Sequence, residues 1–143
     1  MNREAAAMNR EAAAVNREAD VRAWLEYAEA DRRSARNAMA AADYRDVAFH
    51  CQQAAEKALK ALIVHHTQDR PPYVHNLREL LSRLSAFALP SFVVEAVLTL
   101  NPHYRATRYP GVADDLDFYV AENAARLLEQ MEQIWKWVLD QLP

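Results

Sequence analysis

Glycine is almost missing from this chain: Gly111 is the only one in 143 residues. Folds built on tight β-turns or phosphate-cradling loops use glycine where φ turns positive or backbone meets ligand. All-β and dinucleotide-binding architectures are therefore excluded. Cysteine is equally scarce. Cys51 alone makes no intrachain disulfide, and on an apolar helix face it reads as a small buried hydrophobe. Basic charge is not in excess either, with 17 Lys and Arg against 20 Asp and Glu, a net charge of −3. A general nucleic-acid coat is thus excluded, and any nucleic-acid contact must be local. There is no apolar run of membrane-spanning length and no secretory leader pattern, so a cytoplasmic protein is the expectation. What the chain does have is alanine, leucine, glutamate, glutamine and arginine, all good helix formers. Its length suits one domain with a core of its own. The class is all-α.

Residues 1–19 repeat a heptad: MNREAAA twice, then VNREAD. Met1, Met8 and Val15 supply one sizeable apolar residue per heptad, where a coiled coil wants two. This segment reads as a solvated helical extension fraying toward Met1, ahead of a helical bundle over 20–143. From Val21 the pattern strengthens. Val21, Trp24, Leu25, Ala28, Ala35, Ala38, Met39 and Ala42 keep helical spacing, interrupted by Asp31 where an apolar residue is due. Asp43 and Tyr44 turn the chain into a second helix running to about His66. Its apolar face carries Tyr44, Val47, Ala48, Cys51, Ala54, Ala55, Ala58, Leu59 and Leu62; its short alanines admit a close neighbour, so it should lie at the bundle centre. A loop with Pro71 and Pro72 follows. A third helix is expected over roughly His75–Phe87, and a fourth from Pro90 or Ser91 to Pro102. The last, capped by Asp114 or Asp115, should bury Phe118, Ala121, Ala124, Leu128, Met131, Trp135 and Val138. Short connections favour antiparallel neighbours: an up-and-down bundle of four long antiparallel helices plus a shorter helix.

Candidate chemistry concentrates in His103–Tyr109, a stretch with two arginines and no acid. Arg105 and Arg108 offer planar donors for phosphate, and Tyr104 and Tyr109 can stack on a base or sugar. The competing reading is a clamp in which Arg108 pairs with a core acid such as Asp31 or Glu56. Gln53, Glu56, Lys57 and Lys60 form a polar stripe on the second helix, where Glu56 and Lys60 make an ordinary solvated i, i+4 pair. Phe49 on the same side implies that a subunit interface or a nucleotide pocket covers part of this face. No metal site is expected, because His50, His65, His66, His75 and His103 have no ligand spacing. No cofactor loop is present. His75 or Asn76 should satisfy the free amides that open the third helix.

Tyr44 with the Gln52–Leu62 run, then His75-Asn76-Leu77, then Tyr104 with Arg108-Tyr109-Pro110, resemble the HEPN domain family in that order. The Trp24, Ala28, Asp31, Ala35 opening resembles its first helix, with Arg32 a departure where the family has an apolar residue. The resemblance spans about residues 20–140. It implies a bundle of four or five helices, often a homodimer, frequently encoded beside a minimal nucleotidyltransferase in toxin–antitoxin-like pairs. Some branches are metal-independent endoribonucleases with an Arg, a polar residue, and a His four to six residues beyond the Arg. In them His and Arg serve acid–base and charge-stabilising roles. That motif's expected place, after Arg105 and Arg108, holds no histidine. Arg45…His50 and Arg70…His75 match only by letter, and Arg45 and His50 start about 140° apart on a helix.

The reading that follows is a non-catalytic, dimeric nucleotide- or RNA-binding partner of a minimal nucleotidyltransferase. Its ligand residues would be Tyr104, Arg105, Arg108, Tyr109, Lys57 and Lys60. The alternatives are a metal-independent endoribonuclease toxin using His50, His75 or Arg45, and a purely structural interaction module.

Overall fold

The computed structural model describes residues 2–110 and 116–143, and every regular element among them is helical. They are α1 (Arg3–Ala40), α2 (Tyr44–Thr67), α3 (Leu77–Ser82), α4 (Ser91–Leu100), α5 (His103–Ala106), a 3-10 turn (Leu116–Phe118) and α6 (Ala121–Gln141). α1, α2, α4 and α6 make the bundle, and α3 and α5 are short connectors that position side chains. Among the described residues no helix is long and apolar enough to cross a membrane.

α2 is the axis, packing against each of the other five helices. Val47, Ala48, Cys51, Ala54, Ala55, Ala58, Leu59 and Leu62 are all buried, as their spacing predicts. Burial pushes the Cys51 thiol's pKa up, with the Glu132 charge adding to the effect, so it stays a protonated hydrophobe. α1 is capped by Asn2, whose Oδ1 accepts from the Ala5 N–H at 2.8 Å. It runs unbroken through the heptads and ends in a Schellman-type turn. There the Asp43 N–H bonds to the Ala38 carbonyl at 2.9 Å and the Ala42 N–H to that of Met39 at 3.1 Å. With no glycine available, Ala42 takes the left-handed position (φ 57°), and Gln68 does the same after α2 (φ 61°).

Several expectations need correction. α3 ends at Ser82, not Phe87; beyond it the chain continues as tight turns, with Leu84 bonded to Leu81 and Phe87 to Leu84. Of the two residues expected to serve its opening amides it is Asn76 that does so, its Oδ1 accepting from the Arg78 and Glu79 N–H groups. α6 begins only at Ala121; Asp114 and Asp115, expected as its caps, lie outside the described residues. The buried stripe of α6 is Ala124, Leu127, Met131, Ile134, Trp137 and Val138; it shares Ala124, Met131 and Val138 with the one expected, whereas Leu128 and Trp135 are only partly buried and Phe118 and Ala121 are exposed. Trp135 instead supports Arg32, whose guanidinium lies 4.4 Å from its ring centroid while bonding Glu132 at 2.6 Å. The residue that departs from the family pattern therefore fastens α1 to α6.

Candidate functional site

Across the α1–α2 contact, the interruption at Asp31 finds its explanation. Its carboxylate accepts from His50 Nδ1 at 2.9 Å and from Lys57 Nζ. Burial alone would raise its pKa, but the hydrogen bonds and charges of His50 and Lys57 hold it below the usual carboxylate range. Between His50 and Lys57 on α2, Glu56 is almost fully buried. It accepts from His75 Nδ1 at 2.8 Å, from Lys60 Nζ at 3.3 Å and from Gln53 Nε2 at 3.4 Å. The Glu56–Lys60 pair is thus not the solvated surface pair its i, i+4 spacing suggested, because α1 and the loop before α3 cover that side.

A carboxylate only accepts, so each imidazole donates to its acid through Nδ1. The two histidines are therefore oriented in the same way by two different buried acids. Gln52 fixes the second arrangement by donating from Nε2 to the His75 carbonyl at 2.9 Å.

α5 closes the site. Asn101, just after α4, accepts from the Leu77 N–H at 2.7 Å and donates to Asn76 Oδ1 at 3.2 Å. That tie brings the start of α3 beside α5, and Tyr104 stacks on His75 with centroids 4.1 Å apart and planes 15° from parallel. Phe49, unexplained on a polar stripe, lies against Tyr104 at 6.4 Å and edge-on to His50 at 5.4 Å. The guanidinium of Arg108 sits over three rings, at 5.2 Å from Tyr104, 5.4 Å from Phe49 and 5.7 Å from Tyr109. Its expected acid partners in the clamp reading, Asp31 and Glu56, are taken by His50, Lys57, His75 and Lys60. Among the described residues Arg108 has no ion pair. Beside it an open groove of about 580 Å³ is lined by Arg45, Asp46, Phe49, Thr107 and Arg108.

Tyr104, Arg108 and Tyr109 are thus brought together. Arg105 is exposed, with no side-chain partner among the described residues. Lys57 lies on the same face but is tied to Asp31, and Lys60 turns away, its Nζ 5.4 Å from the Trp24 ring centroid. His50 and His75 each meet a carboxylate, while Arg45 lines the Arg108 groove. His103 lies behind the site, bonded to the Tyr119 hydroxyl at 2.9 Å, with burial pushing its pKa down to about 4. Sequence reasoning gives Gln52 no role beyond the run that carries the resemblance and passes over Asn101, since each acts on backbone more than twenty residues away.

These features define an all-helical bundle protein whose polar site joins the central helix to the loops before α3 and after α4. Comparison makes the class particular. A family model for the HEPN domain matches residues 21–141, and the chain belongs to that family. TT1696 from Thermus thermophilus is 32% identical, with a TM-score of 0.77 over 85% of this chain and 98% of that one. ST0689, an archaeal HEPN homologue, is 27% identical, with a TM-score of 0.71 over 85% and 96%. A HEPN domain protein from Thermotoga maritima is 25% identical, with a TM-score of 0.64 over 82% and 94%. A search of curated proteins finds no match to the chain.

Proposed function

We propose that this HEPN protein is a cytoplasmic, non-catalytic homodimer that binds a nucleotide or an RNA end, as the partner of a minimal nucleotidyltransferase in a toxin–antitoxin-like pair. One observation carries the binding role: the Arg108 guanidinium lies among three aromatic rings with no carboxylate pairing it among the described residues. A planar cation with its donors available suits phosphate, and the surrounding rings suit a base or sugar. Arg45, across the same groove, is a second cation for the phosphate. Lys57 and Lys60 contribute less than expected, since each already holds a carboxylate. Tyr27 and Tyr73, 66% and 100% exposed, are aromatic surface of the kind that subunit contacts bury.

Fluorescence anisotropy with a labelled 5′-phosphorylated oligonucleotide tests the binding role. Arg108→Ala should weaken binding roughly tenfold or more, the loss of a charge-assisted contact, while leaving the melting temperature unchanged. A lower melting temperature with unchanged binding would make Arg108 a fold clamp. Equilibrium sedimentation reads the dimer, and co-purification reads the nucleotidyltransferase partner.

A second reading has an observation of its own. His50 and His75 each have Nδ1 on a buried acid, and among the described residues no hydrogen bond engages Nε2, an arrangement that suits acid–base cleavage of RNA. RNA cleavage in EDTA that disappears in His50→Ala or His75→Ala would replace the leading reading with a metal-independent endoribonuclease.

A further inference from the structure

α1 runs on past the bundle it opens. Its Ala14, Arg17 and Val21 share a groove with His65, near the end of α2, and with Leu142. Residues 8–13, further out, are exposed on every side of the helix. From Arg3 to Ala14 the projection is about 17 Å at 1.5 Å per residue. Most helix stability in a protein comes from burying a face, and residues 8–13 bury none against their own chain.

One face of this helix has the form of a seam. Ala5, Met8, Ala12, Ala19, Arg22 and Glu26, with Val15 between them in the sequence, follow at alternating steps of three and four residues. That is the spacing of a two-stranded coiled coil. At 100° per residue the seam lies roughly 160° around α1 from Ala28, Asp31 and Ala35, which are buried against the bundle. Met8 is 68% exposed. We propose that two copies of the chain pair in parallel along residues 5–26 of α1, with the two bundles on opposite sides of the seam. This rests on the homodimer reading and supplies its surface.

The side chains suit a second copy. Alanine at every other seam position lets two helices approach closely, and methionine, unbranched and flexible, fills the layer between. The apolar stretch ends on two charges. In a parallel pair the hole that receives Arg22 includes Glu26 of the second copy, so two opposite-charge contacts form across the two-fold axis. The edges set the direction. Glu4, Glu11 and Glu18 line one edge of the seam and Asn2, Asn9 and Asn16 the other. An antiparallel pair sets like edges together, glutamate on glutamate, whereas a parallel pair sets glutamate against asparagine. No residue lining the Arg108 groove lies on α1, so the interface and the binding role are tested apart.

Equilibrium sedimentation of the full chain reads the dimer. Met8→Asp, which puts like charges in facing layers, should raise its dissociation constant at least about tenfold. Arg22→Glu and Glu26→Arg should each weaken it about fivefold, and the double exchange should restore it. Ala12→Cys should form an inter-chain disulfide on mild oxidation, because facing positions of a parallel seam bring Cα atoms within the roughly 4.4–6.8 Å that the bond spans. Arg10→Cys, on the opposite face, should not, and buried Cys51 stays silent in both. A dimer that Met8→Asp leaves intact and Ala12→Cys does not cross-link would overturn this surface and leave the homodimer to form elsewhere. A chain that stays monomeric would overturn both. Cross-linking that needs a Met8→Cys copy beside an Ala12→Cys copy would mean an antiparallel seam and overturn the parallel one.

Discussion

Removing the Glu56 carboxylate should cost more stability than any other single change at the site, and the structure says why. Glu56→Ala strips an acceptor from three donors: His75, Gln53 and Lys60. The His75 side chain is 44% exposed, so water replaces its lost partner at little cost. Gln53 keeps its 2.8 Å bond to Gln52. Lys60 has no such relief; it is left as a buried cation without a carboxylate, a defect that costs about 3–5 kcal/mol. Against a total of about 5–15 kcal/mol this is a large share. Urea unfolding followed by tryptophan fluorescence reads it directly, since Trp24 faces Lys60. With a slope of about 2 kcal/mol/M the midpoint should fall by roughly 1.5–2.5 M. Pairing the change with Lys60→Met removes the orphaned charge and should recover most of the loss. A cost below about 1 kcal/mol, or a double variant no more stable than Glu56→Ala, would refute the assignment of Glu56 as Lys60's essential counter-ion.

Two further outcomes follow from the fold. Burial lowers the His103 pKa from 6.5 to about 4, so the unfolded chain binds the extra proton across that window. Stability is then full above about pH 6.5 and falls as pH drops toward 4. His103→Gln should flatten that part of the stability–pH curve by up to about 3 kcal/mol; an unchanged slope would place the acid sensitivity elsewhere. Ala42 holds a left-handed φ of 57° on an exposed turn. Ala42→Gly should therefore gain about 1 kcal/mol, a rise of a few degrees in Tm by calorimetry; a fall in Tm would mean that the turn is not strained.

The central helix is legible in the sequence because its apolar residues from Val47 to Leu62 recur at helical spacing and all end up buried. Asp31 is visible as an interruption, but its partners are not. Periodicity places a residue on a face, and His50 and Lys57 meet it only once two helices pack. Lys60 misleads for the same reason: a stripe that looks solvated on one helix is closed by Trp24 from another. The third helix reads too long in the sequence because Leu77, Leu80, Leu81 and Leu84 keep helical spacing whether the last turn is α or a chain of tighter turns. The stripe of the last helix is misplaced in part because Trp135 reads as core and is used for a cation. The Tyr104–Arg108–Tyr109 cluster is readable as a set of residue types, whereas its placement on His75 and Phe49 is tertiary.

The short link through Asn101 has a mechanical side. One amide joins the first turn of α3 to the end of α4, and from those two points hang the loop with His75 and the helix with Tyr104. The two rings therefore share an anchor, and loss of the Asn101 amide would release both connectors at once. The 4.1 Å stack of His75 on Tyr104 thus rests on a side chain that belongs to neither ring's own segment.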